Sequence, residues 1–122
     1  MDTRRVLDTN AIREGRADKP AKVNLFETAR FFADVWVLRP GQAQAPHLHR
    51  GEDKCYHVLS GRGRVTSGAA LAEVGPGEIV FCPAGEEHGV VNPGPDDLRL
   101  LVIMAPHPRP PAAPPAAASA LG

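Results

Sequence analysis

Short apolar runs separated by glycine and proline form the pattern of this chain between residues 23 and 105. The punctuation falls at Pro40-Gly41, Ser60-Gly61, Gly75-Pro76-Gly77, Pro83-Ala84-Gly85 and Pro93-Gly94-Pro95. The runs are FFADVWVLR, QAQAPHLH, KCYHVLS, GRVTS, ALAEV, EIVFC, EHGVVN and LRLLVIMA. Many short strands at regular turn spacing indicate an all-β sandwich or barrel, and no run keeps a helical period over the length that a helix needs.

The two ends of the chain differ from this central region. Residues 1–22 are polar, with only Val6, Leu7 and Ile12 as spaced apolar anchors, and they predict a loosely packed, flexible arm with room for one edge strand. Residues 106–122 consist mainly of proline and alanine and have little to bury, so we expect a disordered, extended tail. The predicted organisation is a single barrel domain over residues 23–105 between two flanking segments.

Length and charge narrow the classes of function. The chain has 122 residues, which is enough for one domain with a real core and too few for a second. Its 14 basic and 14 acidic residues balance, so no net charge would recruit nucleic acid or an anionic membrane, and a small molecule is the expected partner. The charged N-terminus lacks the apolar core of a signal peptide, and no apolar run is long enough to span a bilayer. The distant pair Cys55 and Cys82 indicates neither a disulfide framework nor a cysteine zinc site, so we expect a cytoplasmic location.

Candidate chemistry begins with PHLHRGEDK, residues 46–54, which places His47 and His49 one residue apart. On a strand, residues two positions apart point to the same face and lie about 6.5 to 7 Å apart along the backbone, so two imidazoles can converge on one ion. Taken alone, the pair fits a surface position beside a turn as well as it fits metal binding. A third ligand from another strand would decide between these interpretations.

The third histidine lies in a segment that carries a family resemblance. Residues 77–92, GEIVFCPAGEEHGVVN, resemble the second conserved motif of the cupin superfamily, with His88 as its histidine. The upstream segment resembles the first cupin motif through Gly41, His47, His49 and Gly61. The two motifs occur in the right order, and the resemblance covers about residues 24–105. It implies a small single-domain cupin with a jelly-roll β-barrel, often dimeric, in which the three motif histidines hold a divalent metal inside the barrel.

The chain departs from the commoner first motif at its acidic position. That motif has a glutamate six residues before its closing glycine, and Lys54 occupies this position here. At about 5 Å and an effective dielectric constant of about 20, an inward ammonium and a divalent ion repel by roughly 6 to 7 kcal/mol. The lysine can lose its proton, turn away or pair with an anion, or the site can lack metal. We favour an organic acid that binds the metal through one oxygen and Lys54 through another.

Glu52 and Asp53 are the competing candidates, because a shift of one residue at the Arg50-Gly51 turn would bring Asp53 inward as a fourth ligand. The next strand alternates between inner positions Lys54, Tyr56 and Val58 and outer positions Cys55, His57 and Leu59 in the family register. Asp53 then faces away from the pocket. Tyr56 shares the inner face with Lys54, so it is a candidate substrate-binding residue as well as a packing residue. The outer-face His57 and the tail residue His107 are not expected to be ligands.

Three imidazoles with open coordination positions suit Fe(II), Mn(II), Ni(II), Cu(II) or Zn(II). Cupins with three histidines and no acidic ligand include non-haem iron dioxygenases, so the resemblance implies an oxygenase, or a metal-assisted isomerase or lyase, acting on a small anionic or enolisable compound. The rival class is a non-catalytic module that binds or senses a small molecule. A metal-free barrel that acts only in assembly is the weaker third interpretation, and a homodimer is the expected assembly.

Overall fold

The structure, a computed structural model, describes residues 5–109. Its elements in chain order are the 3-10 turn η1 (Thr9–Ala11) and the strands β1 (Ala21–Glu27), β2 (Phe32–Leu38), β3 (Ala43–Leu48), β4 (Asp53–Ser60), β5 (Gly63–Ser67), β6 (Ala70–Val74), β7 (Ile79–Cys82), β8 (Glu87–Val91) and β9 (Leu98–Ala105). The eight predicted runs correspond to β2 to β9. The edge strand β1 begins two residues before the predicted barrel and lies mostly within it, where the sequence analysis predicted no run. Within the described range, no helix is long and apolar enough to cross a membrane.

The strands form two antiparallel sheets that face each other. One sheet has the order β1-β2-β9-β4-β7 and the other the order β3-β8-β5-β6. The side chains between them form the main apolar core: Trp36, Leu38, Tyr56, Val58, Val65, Val74, Cys82, Val90, Leu98, Leu100 and Val102. Because both sheets contribute to this core, the predicted all-β jelly-roll barrel is confirmed.

Glycines allow the reversals between strands where the chain needs a positive φ. Gly61 and Gly85 have φ values of 82° and 83°, the conformation expected for them from the sequence. At Gly61 a Cβ would lie 2.2 Å from the carbonyl oxygen of Asp97, so the turn leaves room for no side chain. Asn92 holds the end of β8, since its buried side-chain amide donates to the carbonyl of Leu38 at 2.7 Å.

The N-terminal arm packs on the outer face of the five-stranded sheet. Ile12 contacts a second apolar cluster, whose buried members are Ala21, Val35 and Val37. Of the other two predicted anchors, Leu7 is half-buried and Val6 is exposed. The described part of the arm therefore touches the barrel at separate points rather than along its whole length.

Arg99 fastens the arm to the sheet. Its guanidinium, only 3% exposed, donates to the carbonyl of Ile12 at 3.0 Å and to the carbonyl of Thr9. A third donor lies 3.3 Å from the hydroxyl of Ser60 on β4. One buried cation thus joins η1 and its C-cap to β9 and β4.

One residue at the start of the predicted tail, His107, contacts the barrel. It lies 3.0 Å from the carboxylate of Glu27 and meets the ring of Phe32 edge to face at a centroid distance of 5.5 Å. The chain just after β9 therefore lies near β1 and β2. The prediction for residues 110–122 lies outside the described residues.

Candidate metal centre

Two neighbouring strands bring three histidines together inside the barrel. His47 lies on β3 and is the register partner of His88 on β8, and His49 directly follows the end of β3. The ring of His47 lies 4.3 Å from the ring of His88 and 4.8 Å from that of His49. One ligand atom from each residue falls within 4.8 Å of the others. The predicted convergence of the three imidazoles is thus present in the fold.

A bulge in β3 places His47 opposite His88. The pairing of β3 with β8 shifts between Gln44 and His47, and Pro46, which has no N–H for the ladder, lies in this shift. Gly89 makes the close approach possible, because a Cβ there would lie 2.9 Å from both the oxygen of Gln44 and the nitrogen of Pro46. The glycine next to His88 therefore contributes to the position of both histidines.

Polar neighbours of the imidazoles orient the rings. Nδ1 of His47 lies 3.0 Å from the carbonyl oxygen of Ala45, and Nδ1 of His88 lies 3.4 Å from that of Glu86. Nδ1 of His49 lies 3.9 Å from a carboxylate oxygen of Glu52. With Nδ1–H donated to the two carbonyl oxygens, the Nε2 atoms of His47 and His88 remain as ligand atoms, which is the usual arrangement around metal-bound histidines.

Burial and charge favour the neutral form of two of the three imidazoles. Desolvation first, and the nearby charge of Lys54 second, lower the pKa of His88 to about 4. Desolvation also lowers the pKa of His47. The Nε2 atom of His88 is buried and has no hydrogen-bond partner among residues 5–109. A neutral imidazole with an unpaired buried nitrogen is the form that coordinates a metal ion.

Lys54 and Tyr56 lie on the inner face, as the alternation of β4 predicts. Lys54 is 4% exposed, and its Nζ lies 4.5 Å from the ring centroid of Trp36 and 5.0 Å from that of Tyr56. Desolvation lowers the pKa of Lys54 to about 8, so the ammonium is still mostly charged at neutral pH. Tyr56 is fully buried, and its hydroxyl has no hydrogen-bond partner in the described chain.

The competing ligand, Asp53, lies outside the histidine cluster. Its side chain is exposed and accepts a hydrogen bond from the backbone N–H of Ala84 at 2.9 Å. β4 thus keeps the register that places Lys54 inward, and no shift at the turn brings Asp53 to the site. The acid beside the cluster is Glu52, a neighbour of His49. His57 is half-buried on the outer face, as expected.

The sequence analysis does not identify two charged residues near the site, Lys22 and Asp34. Nζ of Lys22, on β1, lies 4.2 Å from the ring centroid of Trp36 and 2.8 Å from the side-chain oxygen of Gln44. Asp34 accepts a hydrogen bond from Asn24 at 2.9 Å. Asp34 shares the phase of Trp36 on β2, so strict alternation along FADVWVL would have placed it inward. Lys22 leaves no such signal, because β1 begins in the polar arm.

The fold and the site define a small jelly-roll barrel protein with three histidines gathered between its sheets. The chain matches the Cupin domain family over residues 34–104, which is more than half of its length. It therefore belongs to the cupin family, and the resemblance inferred from the two histidine motifs is confirmed.

The known proteins that it is similar to include one with a named ligand. The oxalate-binding protein of Thermotoga maritima is 31% identical over 84 residues, which cover 69% of each chain. The uncharacterised protein SCO3923 of Streptomyces coelicolor is 38% identical over 95 residues, which cover 76% of this chain and 87% of the relative. Among solved structures, TT1209 of Thermus thermophilus superposes with a TM-score of 0.82 at 39% identity and covers 84% of this chain and 98% of that chain.

Proposed function

We propose that the protein binds a divalent transition metal through the Nε2 atoms of His47, His49 and His88. The observation that carries this proposal is the convergence of three imidazole ligand atoms within 4.8 Å. The unpaired buried nitrogen of His88 fits such an ion, and three neutral nitrogen donors suit Fe, Mn, Ni, Cu or Zn. When bound, such an ion supplies a Lewis acid with open positions for an oxygen ligand.

The proposed ligand is a small carboxylate, held between the metal and Lys54. The support from the structure is the buried Lys54 ammonium, which has no ion-pair partner among the described residues. A buried charge is stabilised when an opposite charge meets it with good hydrogen-bond geometry, and an anionic ligand supplies that charge. The support from the comparisons is the Thermotoga maritima relative, whose name gives oxalate as its ligand.

The first experiment tests metal and anion together. Protein purified without chelator and without nickel resin is assayed for bound metal, and oxalate is then titrated by calorimetry into the metal-loaded protein. We expect Lys54→Met to lower the affinity for oxalate by at least about tenfold. The matched control is Lys19→Met, since Lys19 is exposed. A Lys54→Met protein that binds oxalate as tightly as wild type would contradict the role of the lysine.

Whether the bound ligand reacts separates the enzyme from the binding module. The observation that favours an oxygenase over a purely structural site is the donor set, because three neutral ligands leave the metal electrophilic toward an anionic or enolisable substrate. Lys54 and Tyr56 are the inner-face residues that can hold a proton near such a substrate. Oxygen uptake with β-diketone, thiol and aromatic acid substrates tests this. Metal and ligand binding without turnover would favour the non-catalytic module, and turnover without oxygen would favour an isomerase or lyase.

A homodimer formed through the outer face of β7 is part of the proposal. Ile79 and Phe81 on this edge strand are 66% and 63% exposed, and their register partners on β4 are His57 and Cys55. These four residues include no acid, lysine or arginine, so a second copy can meet the patch across a two-fold axis without repulsion between such charges.

Light scattering on a sizing column measures the assembly. We expect the wild-type protein to run as a dimer and Phe81→Glu to run as a monomer. Leu71→Glu is the matched control, because Leu71 is an apolar residue, 75% exposed, on the other sheet. A wild-type monomer, or dimers in all three proteins, would contradict this interface.

The predicted cytoplasmic location also stays within the proposal. Its support is that Cys55 and Cys82 are both free thiols, which suits a reducing compartment. Fractionation of cells that produce the protein, followed by immunoblotting, tests it. Recovery in a secreted or membrane fraction would contradict it.

A further inference from the structure

Two buried hydrogen-bond donors inside the barrel lack acceptors, and a lysine beside them lacks an ion-pair partner. The indole N–H of Trp36 and the hydroxyl of Tyr56 are buried, and neither has a hydrogen-bond partner in the part of the chain that the structure describes. The ammonium of Lys54, 4% exposed, has no ion-pair partner there either. An unpaired buried polar group costs about 1 to 3 kcal/mol, and a charged one costs more. Two such donors beside a lysine without an ion pair favour a ligand that supplies acceptors.

These donors lie together and next to the histidines. The rings of Trp36 and Tyr56 are 5.8 Å apart, and Nζ of Lys54 lies within 5.0 Å of both ring centroids. The ring of Tyr56 is 6.3 Å from that of His88. We name Trp36, Tyr56 and Lys54 the donor group. The donor group therefore adjoins the histidine cluster through the ring of Tyr56.

The charges around the donor group are unbalanced. Lys22 lies over the ring of Trp36 at 4.2 Å, at the exposed edge of the same interior. Asp34 is the acid whose charge acts on both Lys22 and Lys54, so two cations face one anion. The divalent ion proposed at the histidines adds two positive charges, and the carboxylate of Glu52 beside His49 adds one negative charge. One carboxylate of the ligand offsets only part of the remaining positive charge, whereas two come closer to neutrality.

Building on the proposed function, we infer that the donor group is a second anion-binding subsite and that the ligand is a short dianion, such as a dicarboxylate. One acidic group binds at the three histidines, and the other accepts hydrogen bonds from Lys54, Trp36 and Tyr56. This assigns to Trp36 a role in binding beyond its place in the core. It also explains why a lysine fits the position where the commoner motif has an acid.

Calorimetry with matched ligands tests the subsite. Succinate and monomethyl succinate, which differ by one negative charge, are titrated into the full-length, zinc-loaded protein at neutral pH. We expect succinate to bind at least about tenfold more tightly in wild type, which corresponds to one charge-assisted contact. Lys54→Met should reduce this preference to less than about threefold, and Trp36→Phe and Tyr56→Phe should reduce it in part, because each removes one donor and keeps a ring. The control Lys19→Met should keep the wild-type preference.

The outcomes separate failure of the subsite from failure of the metal site. A preference for succinate that survives in Lys54→Met would come from chelation by the metal, and it would overturn the subsite. Equal affinity of wild type for the two ligands would overturn it as well. In both cases the zinc content, measured on the same samples, shows whether the proposed metal centre stands. Protein that cannot hold zinc would overturn the metal centre and this inference with it.

Discussion

At the scale of single residues, the proposed role of Lys54 is to raise the affinity for an anionic ligand at a cost in the stability of the free protein. Its ammonium is buried between aromatic rings without an ion-pair partner among residues 5–109. A side chain that lowers stability in the free protein and pairs with the ligand in the complex is typical of binding sites. The role proposed for Lys54 therefore has a consequence for the stability of the free protein as well as for the affinity of the complex.

We predict that Lys54→Met stabilises the metal-free, ligand-free protein at pH 7 by about 1 to 3 kcal/mol, because burial of the ammonium is no longer required. The sign follows from the pKa of Lys54, which is lowered from 10.5 to about 8 in the folded state. Between these values the unfolded chain binds more protons, so wild-type stability rises with pH across this window. Urea unfolding at pH 7 and pH 10 measures both effects. The advantage of the variant should narrow at pH 10, and a variant less stable than wild type at pH 7 would contradict this account.

Glu52 is the residue predicted to orient His49. Its carboxylate lies 3.9 Å from Nδ1 of His49. We expect Glu52→Ala to weaken zinc affinity by about 10- to 100-fold, the usual effect of removing an outer-shell partner of a metal ligand. Competition with a chromophoric chelator measures the affinity. The neighbouring control is Asp53→Asn, which alters the exposed acid bonded to Ala84 and should leave affinity unchanged. Equal losses of zinc affinity in the two variants would contradict the orienting role of Glu52, because the loss of one negative charge would then explain both.

Residues differ in how far the sequence predicts their place in the site. The histidines follow from motif spacing, and the inward position of Lys54 follows from strand alternation. Glu52 lies in a turn, where no period relates sequence to direction, so its contact with His49 depends on the turn conformation. Lys22 contacts Trp36 from β1, and the polar sequence around the start of β1 gives no pattern that predicts this strand.

At the scale of elements, the bulged pairing of β3 with β8 builds the metal centre. The turns and apolar runs predict both strands, but the shift between Gln44 and His47 depends on how two backbones meet. A one-residue difference in this shift would turn His47 to the other face of the sheet. The pairing that brings His47 opposite His88 is therefore a tertiary property.

A substitution at Gly89 tests the role of the bulged pairing of β3 with β8. We predict that Gly89→Ala lowers the free energy of unfolding by about 1 to 3 kcal/mol, because the added Cβ has no room against the backbone of β3. The displaced bulge should also separate His47 from His88 and weaken zinc binding. Thermal unfolding and the chelator assay measure the two effects. Gly51→Ala is the control, since a Cβ at Gly51 meets nothing within 4 Å. Wild-type stability and zinc affinity in Gly89→Ala would contradict the role of the bulge.

At the scale of the whole molecule, closure of two sheets converts separate motifs into one interior. The two motifs and the strand pattern predict this closure, because both sheets must bury their apolar faces against each other. The docking of the arm through Arg99 and of His107 against Phe32 was not predictable. Each of these contacts joins residues more than 70 positions apart and depends on one polar or aromatic side chain rather than on a period.

The central claim is that one ion binds where both histidine motifs meet. Calorimetric titration of zinc into metal-free wild type and into His47→Ala, His49→Ala and His88→Ala tests it most directly, with His57→Ala as the outer-face control. We predict one zinc per chain in wild type and in the control, and a loss of affinity of about 100-fold or more in each of the three variants. Zinc binding in the His88→Ala variant equal to that of wild type would contradict the account.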